Sequence, residues 1–232
     1  MQIFLFVISC LFVLTTYAEK KESFSGIAKV DGKVVYIENH QVTFDDNGNV
    51  LEAETIYTDL QGKILGILKS DFRESLSLPA HVFLDERTKG KYGVRRRSGK
   101  IEMFNQDNNE AEETKMITNK EDLKRVQIGC QGFNYFLKSE IENIIKDKSL
   151  PVLFMVPGDL STYQFVLEFM REGPNQIFEF KIKIENWLLR VFAPEFEFKY
   201  DRKIHRIIWY KGLSNLKNEN GKNQSVEIDY KF

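Results

Sequence analysis

Glu38 and His40 stand two residues apart in the stretch YIENHQVTF, residues 36–44. A carboxylate and an imidazole at that spacing share one face of a β-strand, because strand side chains alternate. Such a pair can hold a polar head group, share a proton, or serve as general acid and base. The neighbours sharpen the question. Tyr36, Glu38, His40, Val42 and Phe44 make the more apolar face, and Ile37, Asn39, Gln41 and Thr43 make the other. Polar groups in the middle of an apolar face belong either to a structural ion-pair cluster or to the wall of a ligand cavity. The next two strand-like stretches carry Glu54, Lys69 and Asp71 in similar middle positions. Simple hairpin register would set these carboxylates and cations across from one another. An exported hydrolase using Glu38, His40 and Asp71 is the catalytic alternative, but no nucleophile or oxyanion pattern accompanies them. His40, His81 and His205 lack any short ligand spacing, so no metal is expected. No phosphate-binding glycine loop, nucleophile elbow or zinc-helix motif occurs, and no cofactor is expected.

The elements that must position these residues are strands. Asp31-Gly32, Asn47-Gly48 and Gln61-Gly62 are tight-turn signals that divide residues 22–72 into four strands of an antiparallel meander. Gly66 inside the fourth marks a bulge or a close approach. Pro79 to Gly93 reads as a strand turning near Gly90, and Val94 to Phe104 as a hairpin turning at Ser98-Gly99. Residues 105–115 lack apolar period and read as a solvated loop. Phe133, Phe136, Leu137, Ile141, Ile144 and Ile145 form one stripe at helical spacing. That predicts a helix over 133–147, with Lys146 and Lys148 at its C-terminal end and Pro151 closing it. Strands resume with PVLFMVPGD, apolar enough to be buried on both faces. They continue through IFEFKIKIE, EFEFKYD, IHRIIWYKG and SVEIDYKF. About ten strands and one long helix predict a mainly β (α+β) chain, a strongly curved antiparallel sheet or half-barrel packed around the helix.

Nineteen phenylalanines among 232 residues supply a thick apolar interior. Phe178, Phe180, Phe196 and Phe198 are expected either as core or as the lining of a concave face that holds a lipid or other apolar small molecule. With Tyr36, Glu38, His40, Glu54, Lys69 and Asp71 they make up the candidate binding residues. A net charge of −1 provides no global field for nucleic acid, which is not expected as a partner. Arg95, Arg96 and Arg97, flanked by Lys91 and Lys100, form the one basic run. It reads as a solvated hairpin, or as a contact for an anionic envelope component.

The first 18 residues are charge-free and apolar through Leu14, with Thr16 and Ala18 placed as in a signal-peptidase site. They predict a signal peptide, one β-rich domain over 19–232, and export, to the periplasm rather than the outer membrane. A lipoprotein signal at Cys10 fits less well, because the apolar run before it is short. Cleavage after Ala18 would leave Cys130 as the single cysteine, a small buried side chain rather than a nucleophile. Integral outer-membrane insertion is the rival reading, drawn from the alternating terminal strand ending in Tyr230-Lys231-Phe232.

Four stretches, GKVVYIENH, ETIYTDLQGKILGILKSDF, GFNYFLKSEIENIIKDKSLPVLFMVPGDL and WYKGLSNLKNENGKNQSVEIDY, resemble an uncharacterised family of exported proteobacterial proteins. The resemblance implies export and a β-rich fold and carries no activity. Curved half-barrels of periplasmic lipoprotein carriers offer a fold-level analogy.

Overall fold

A computed structural model describes residues 19–108, 110–117, 125–185 and 196–232. The expected signal peptide over residues 1–18 and the alternative at Cys10 lie outside the described residues. The first wing is a meander of β1 (Lys20–Val30), β2 (Lys33–Phe44), β3 (Val50–Thr58), β4 (Ile64–Asp71), β5 (Ala80–Asp85), β6 (Lys91–Arg97), β7 (Lys100–Gln106) and β8 (Glu113–Met116). The second comprises β9 (Val126–Ile128), helix α1 (Gly132–Asp147), β10 (Ser149–Val156), β11 (Ser161–Glu172), β12 (Ile177–Ile184), β13 (Phe196–Asp201), β14 (Arg206–Leu213) and β15 (Ser225–Lys231). All 15 strands belong to one sheet, ordered β8-β7-β6-β5-β4-β3-β2-β1-β15-β14-β13-β12-β11-β10-β9. The wings join where β1 pairs antiparallel with β15, Gly26 opposite Tyr230 and Ala28 opposite Ile228. The pairing of β9 with β10 is parallel and the rest is antiparallel.

The turns form where glycine permits positive φ, as at Gly32, Gly48, Gly62, Gly99 and Gly221. The alternation of Phe and Ile with Lys and Glu orients each strand of the second wing. Phe178, Phe180 and Ile182 point inward, and Glu179, Lys181 and Lys183 point outward. On the convex side the outward charges pair across strands. Lys183 meets Glu168 at 2.6 Å, Arg171 meets Glu179 at 2.6 Å, Lys211 meets Glu227 at 2.8 Å and Lys29 meets Asp229 at 2.8 Å.

Helix α1 lies in the concavity of the second wing. Phe136, Leu137, Ile141 and Ile144 are buried against Val152, Leu167, Phe178, Phe180, Ile182, Phe198 and Tyr200. Full burial of a side chain such as Leu137 or Ile144 contributes about 1.5–3 kcal/mol. Lys148, in the left-handed conformation at φ 64°, ends the helix, with Lys146 in the last turn. Pro151 does not close it. It lies inside β10, opposite Val166 and just before the Val152–Phe154 stretch that pairs with β9, where its missing N–H leaves no ladder bond unmade. The 105–115 loop is shorter than the sequence suggests, since Asn105 and Gln106 extend β7 and Glu113–Met116 pair as β8.

The sheet curls until its two wings approach. Met155 of β10 packs with Val94, Ile101 and Met103 of the first wing. Asn105 Nδ2 donates to the Gly158 carbonyl at 3.2 Å, in the 3-10 turn Pro157–Asp159 that follows β10.

Candidate functional site

The β1–β2, β2–β3 and β1–β15 registers set Tyr57, Glu38, Gly26 and Tyr230 side by side across four strands. One step along, Thr55, His40 and Phe24 make a parallel row. Gly26 is what lets a carboxylate and a phenol share this floor. A Cβ there would lie 2.9 Å from Ile228 Cγ2, 3.0 Å from Tyr230 Cε1 and 3.1 Å from Glu38 Oε2. Gly66, opposite Tyr57, is likewise closely approached, a Cβ there falling 2.9 Å from Phe83 Cζ, and a register shift sits beside it.

Both Glu38 and His40 face inward, as the alternation requires. Glu38 is 4% exposed and accepts a hydrogen bond from His40 Nε2 at 3.1 Å. Thr55 Oγ1 lies 2.7 Å from His40 Nδ1, and Gln131 Nε2 donates to the same Oγ1 at 2.7 Å. Gln131, Thr55 and His40 thus form one hydrogen-bonded chain that ends on the Glu38 carboxylate. Phe24 stacks on the imidazole at 4.3 Å and 7°. Hydroxyl, imidazole and carboxylate in line resemble a nucleophile–base–acid triad. Thr55, however, has no surface accessible to solvent.

This cluster forms part of the wall of a cavity of about 1310 Å³ inside the curl. Leu68, Phe83, Phe154, Phe165, Ile207 and Ile228 supply much of its apolar surface. Its mouth lies at the sheet end carrying the 85–91, 157–159 and 213–223 segments. At the opposite end Arg206 sits over the Phe24 and Phe232 rings at 5.5 and 5.6 Å and pairs with Glu22 at 2.8 Å. Burial, and next the Glu38 charge, hold the Tyr36, Tyr57, Tyr210 and Tyr230 hydroxyls well above the usual phenol range. Burial pushes the Cys130 thiol up to about 12, so it stays protonated and unreactive at neutral pH. His81, on the same wall, is buried and lowered to about 4, its Nδ1 donating to the Pro79 carbonyl at 3.1 Å.

The residues singled out in the sequence separate into three places. Glu38 and His40 line the cavity. Tyr36 is one layer behind them, 2% exposed, with its hydroxyl 2.7 Å from Ser214 Oγ and its ring against Tyr57. Glu54, Lys69 and Asp71 are on the convex face, away from Glu38. Glu54 pairs with Lys69 at 3.0 Å, and Arg73 bridges Asp71 and Glu52 at 2.8 and 2.6 Å. The cause is register, since Thr55 and not Glu54 stands opposite His40. Of the four phenylalanines, Phe196 reaches the cavity, whereas Phe178, Phe180 and Phe198 are core beneath the helix. The arginine run is met by carboxylates. Arg95 binds Glu102 at 2.5 Å and Glu112 at 2.8 Å, and Arg96 meets Glu74 at 3.1 Å. Arg97, the most exposed, reaches Glu102 at 3.8 Å.

Sequence reasoning missed Thr55, Gln131, Tyr57 and Tyr230. The alternation of ETIYTD does place Thr55 and Tyr57 together on one face, and SVEIDYKF places Tyr230 with Ile228. Which face meets Glu38 is a matter of register. Among the described residues, no group of three His, Cys, Asp or Glu could hold a metal ion, and no helix is long and apolar enough to cross a membrane. No family model, curated protein or solved structure matches this chain.

Proposed function

We propose that this is an exported, non-catalytic binding protein that holds a lipid or other apolar molecule inside its curved sheet, working in the periplasm. The carrying observation is the cavity of about 1310 Å³, with much of its wall aromatic or aliphatic and the buried Glu38–His40–Thr55 cluster set into it. Its volume exceeds the roughly 300–1,000 Å³ of ordinary small-molecule sites, as an extended apolar ligand would need. Binding without turnover fits a threonine that no substrate can approach and a thiol held protonated. The cross-strand ion pairs on the convex face favour a water-facing outer surface over a lipid-facing barrel wall, where charges are costly. The charge-free leader followed by Thr16 and Ala18 supports export.

Native mass spectrometry of protein purified from its own host without detergent tests the reading. A bound apolar adduct released by organic solvent is expected. Ligand-free protein that also fails to take up an added acyl probe contradicts it.

A further inference from the structure

The cavity has a buried carboxylate that, among the described residues, no lysine or arginine meets. Two buried carboxylates, Asp85 and Glu38, lie on its wall. Asp85 is paired with Arg87 at 2.6 Å. Among the described residues, no lysine or arginine pairs with Glu38, and its one side-chain partner of opposite character is His40. The cations that line the cavity stand elsewhere. Arg87, Lys217 and Lys222 are exposed at the mouth, Lys91 lies 3.9 Å from Glu112, and Arg206 is taken by Glu22 at the far end.

A second, independent feature has the same sign. Gln131 lines the cavity with its amide nitrogen committed to Thr55, while its carbonyl Oε1 is buried without a hydrogen-bond partner. A buried acceptor left unpaired carries a desolvation cost that a ligand donor would remove. The rings of Tyr57, Tyr210 and Tyr230, whose π-faces favour cations, line the same cavity within electrostatic reach of Glu38.

We infer that the polar end of this cavity selects an apolar ligand with a protonated amine head, which donates to Glu38 and Gln131, and that it discriminates against a carboxylate head. The inference rests on the binding reading above and names the ligand's head-group class. An anionic head would face the Glu38 charge at close range with no lysine or arginine beside it, and like charges in a poorly solvated site repel strongly. The Gln131–Thr55–His40 chain orients Glu38, which also interacts with the Tyr36 and Tyr230 side chains, and a carboxylate with about four acceptor sites keeps capacity for a ligand donor.

The test uses dodecylamine, dodecanol and dodecanoate, titrated calorimetrically into the purified protein and its Glu38→Gln variant at neutral pH. The expected result is amine binding about tenfold or more tighter than carboxylate binding, with alcohol between them. In Glu38→Gln that preference should vanish while dodecanol binding persists. Dodecanoate binding as well as dodecylamine overturns the inference and leaves apolar binding intact. An amine preference unchanged in Glu38→Gln overturns the assignment to Glu38. Failure of all three to bind overturns the binding reading itself. The head-group ranking in the unaltered protein decides the matter even if the variant does not fold.

Discussion

The two wings share an architecture and differ in what their concave faces hold. In the second wing, helix α1 fills the curve, and Phe180 stacks on Phe198 at 5.0 Å and 10° beneath it. In the first wing the corresponding space is cavity. The chemistry divides along the same line. Among the described residues, every buried polar or charged side chain, namely Glu38, Thr55, Ser70, His81, Asp85 and Glu102, belongs to the first wing. The buried side chains of the second wing are aliphatic or aromatic. A sheet whose interior is packed by its own helix needs no ligand and leaves little room for polar groups, the buried Tyr200 hydroxyl being its exception among the described residues. A sheet left open can carry both. The helix thus packs one wing, while the other supplies the Glu38–His40–Thr55 row of a site that Gln131 and Tyr230 of the second wing complete.

The sharpest way to break this comparison is to truncate matched phenylalanines. Phe180→Ala in the filled wing should cost about 3–5 kcal/mol, the sum of lost burial and residual cavity. Phe196→Ala, on the same wing but at the cavity wall, should cost about half of that or less, because its half-buried ring leaves less to lose. Urea midpoints for the two variants measure the difference, and equal costs would erase the distinction.

Acid should act on the first wing. His81 is lowered to about 4 by burial, against 6.5 when unfolded. Above pH 6.5 both states are neutral and the full stability is present. As pH falls from 6.5 towards 4 the unfolded state takes up a proton that the folded state refuses. Stability then declines by an amount on the order of 3 kcal/mol and levels off below pH 4. His81→Phe, which cannot titrate, should flatten that part of the unfolding profile. An unchanged slope would place the acid-sensitive group elsewhere.

The smallest effect belongs to the convex face. Lys69→Ala removes an ion pair whose lysine is 63% exposed, and should shift stability by less than about 1 kcal/mol. It should leave ligand uptake unchanged. Weakened uptake would return Glu54 and Lys69 to the site.

Much of the scaffold was legible because it is written locally. The turn signals at 31–32, 47–48, 61–62 and 98–99 each close a hairpin. The stripe from Phe133 to Ile145 becomes α1 with its start one residue earlier. Strand number was underestimated at about ten against 15, because short edge strands such as Val126–Ile128 carry too few residues to show alternation. The site was half legible. Period two correctly put Glu38 and His40 on the inner face, but it carries no information about which neighbours stand opposite. That depends on register, where a slip of one residue exchanges the faces. Hence Glu54 was grouped with His40 when Thr55 is its partner. The joining of the two wings through β1 and β15, some 200 positions apart in sequence, leaves no local signal in either strand.

Blocking the mouth tests the open first wing most directly. Gly158 sits there with nothing nearer than 3.8 Å to a Cβ built on it, so a large side chain can be added without immediate overlap. Saturable uptake of a fluorescent acyl probe should be seen with the unaltered protein and abolished in Gly158→Trp, whose unfolding midpoint should remain unchanged. Equal uptake by both proteins would mean that the probe binds outside the cavity, and would contradict the account.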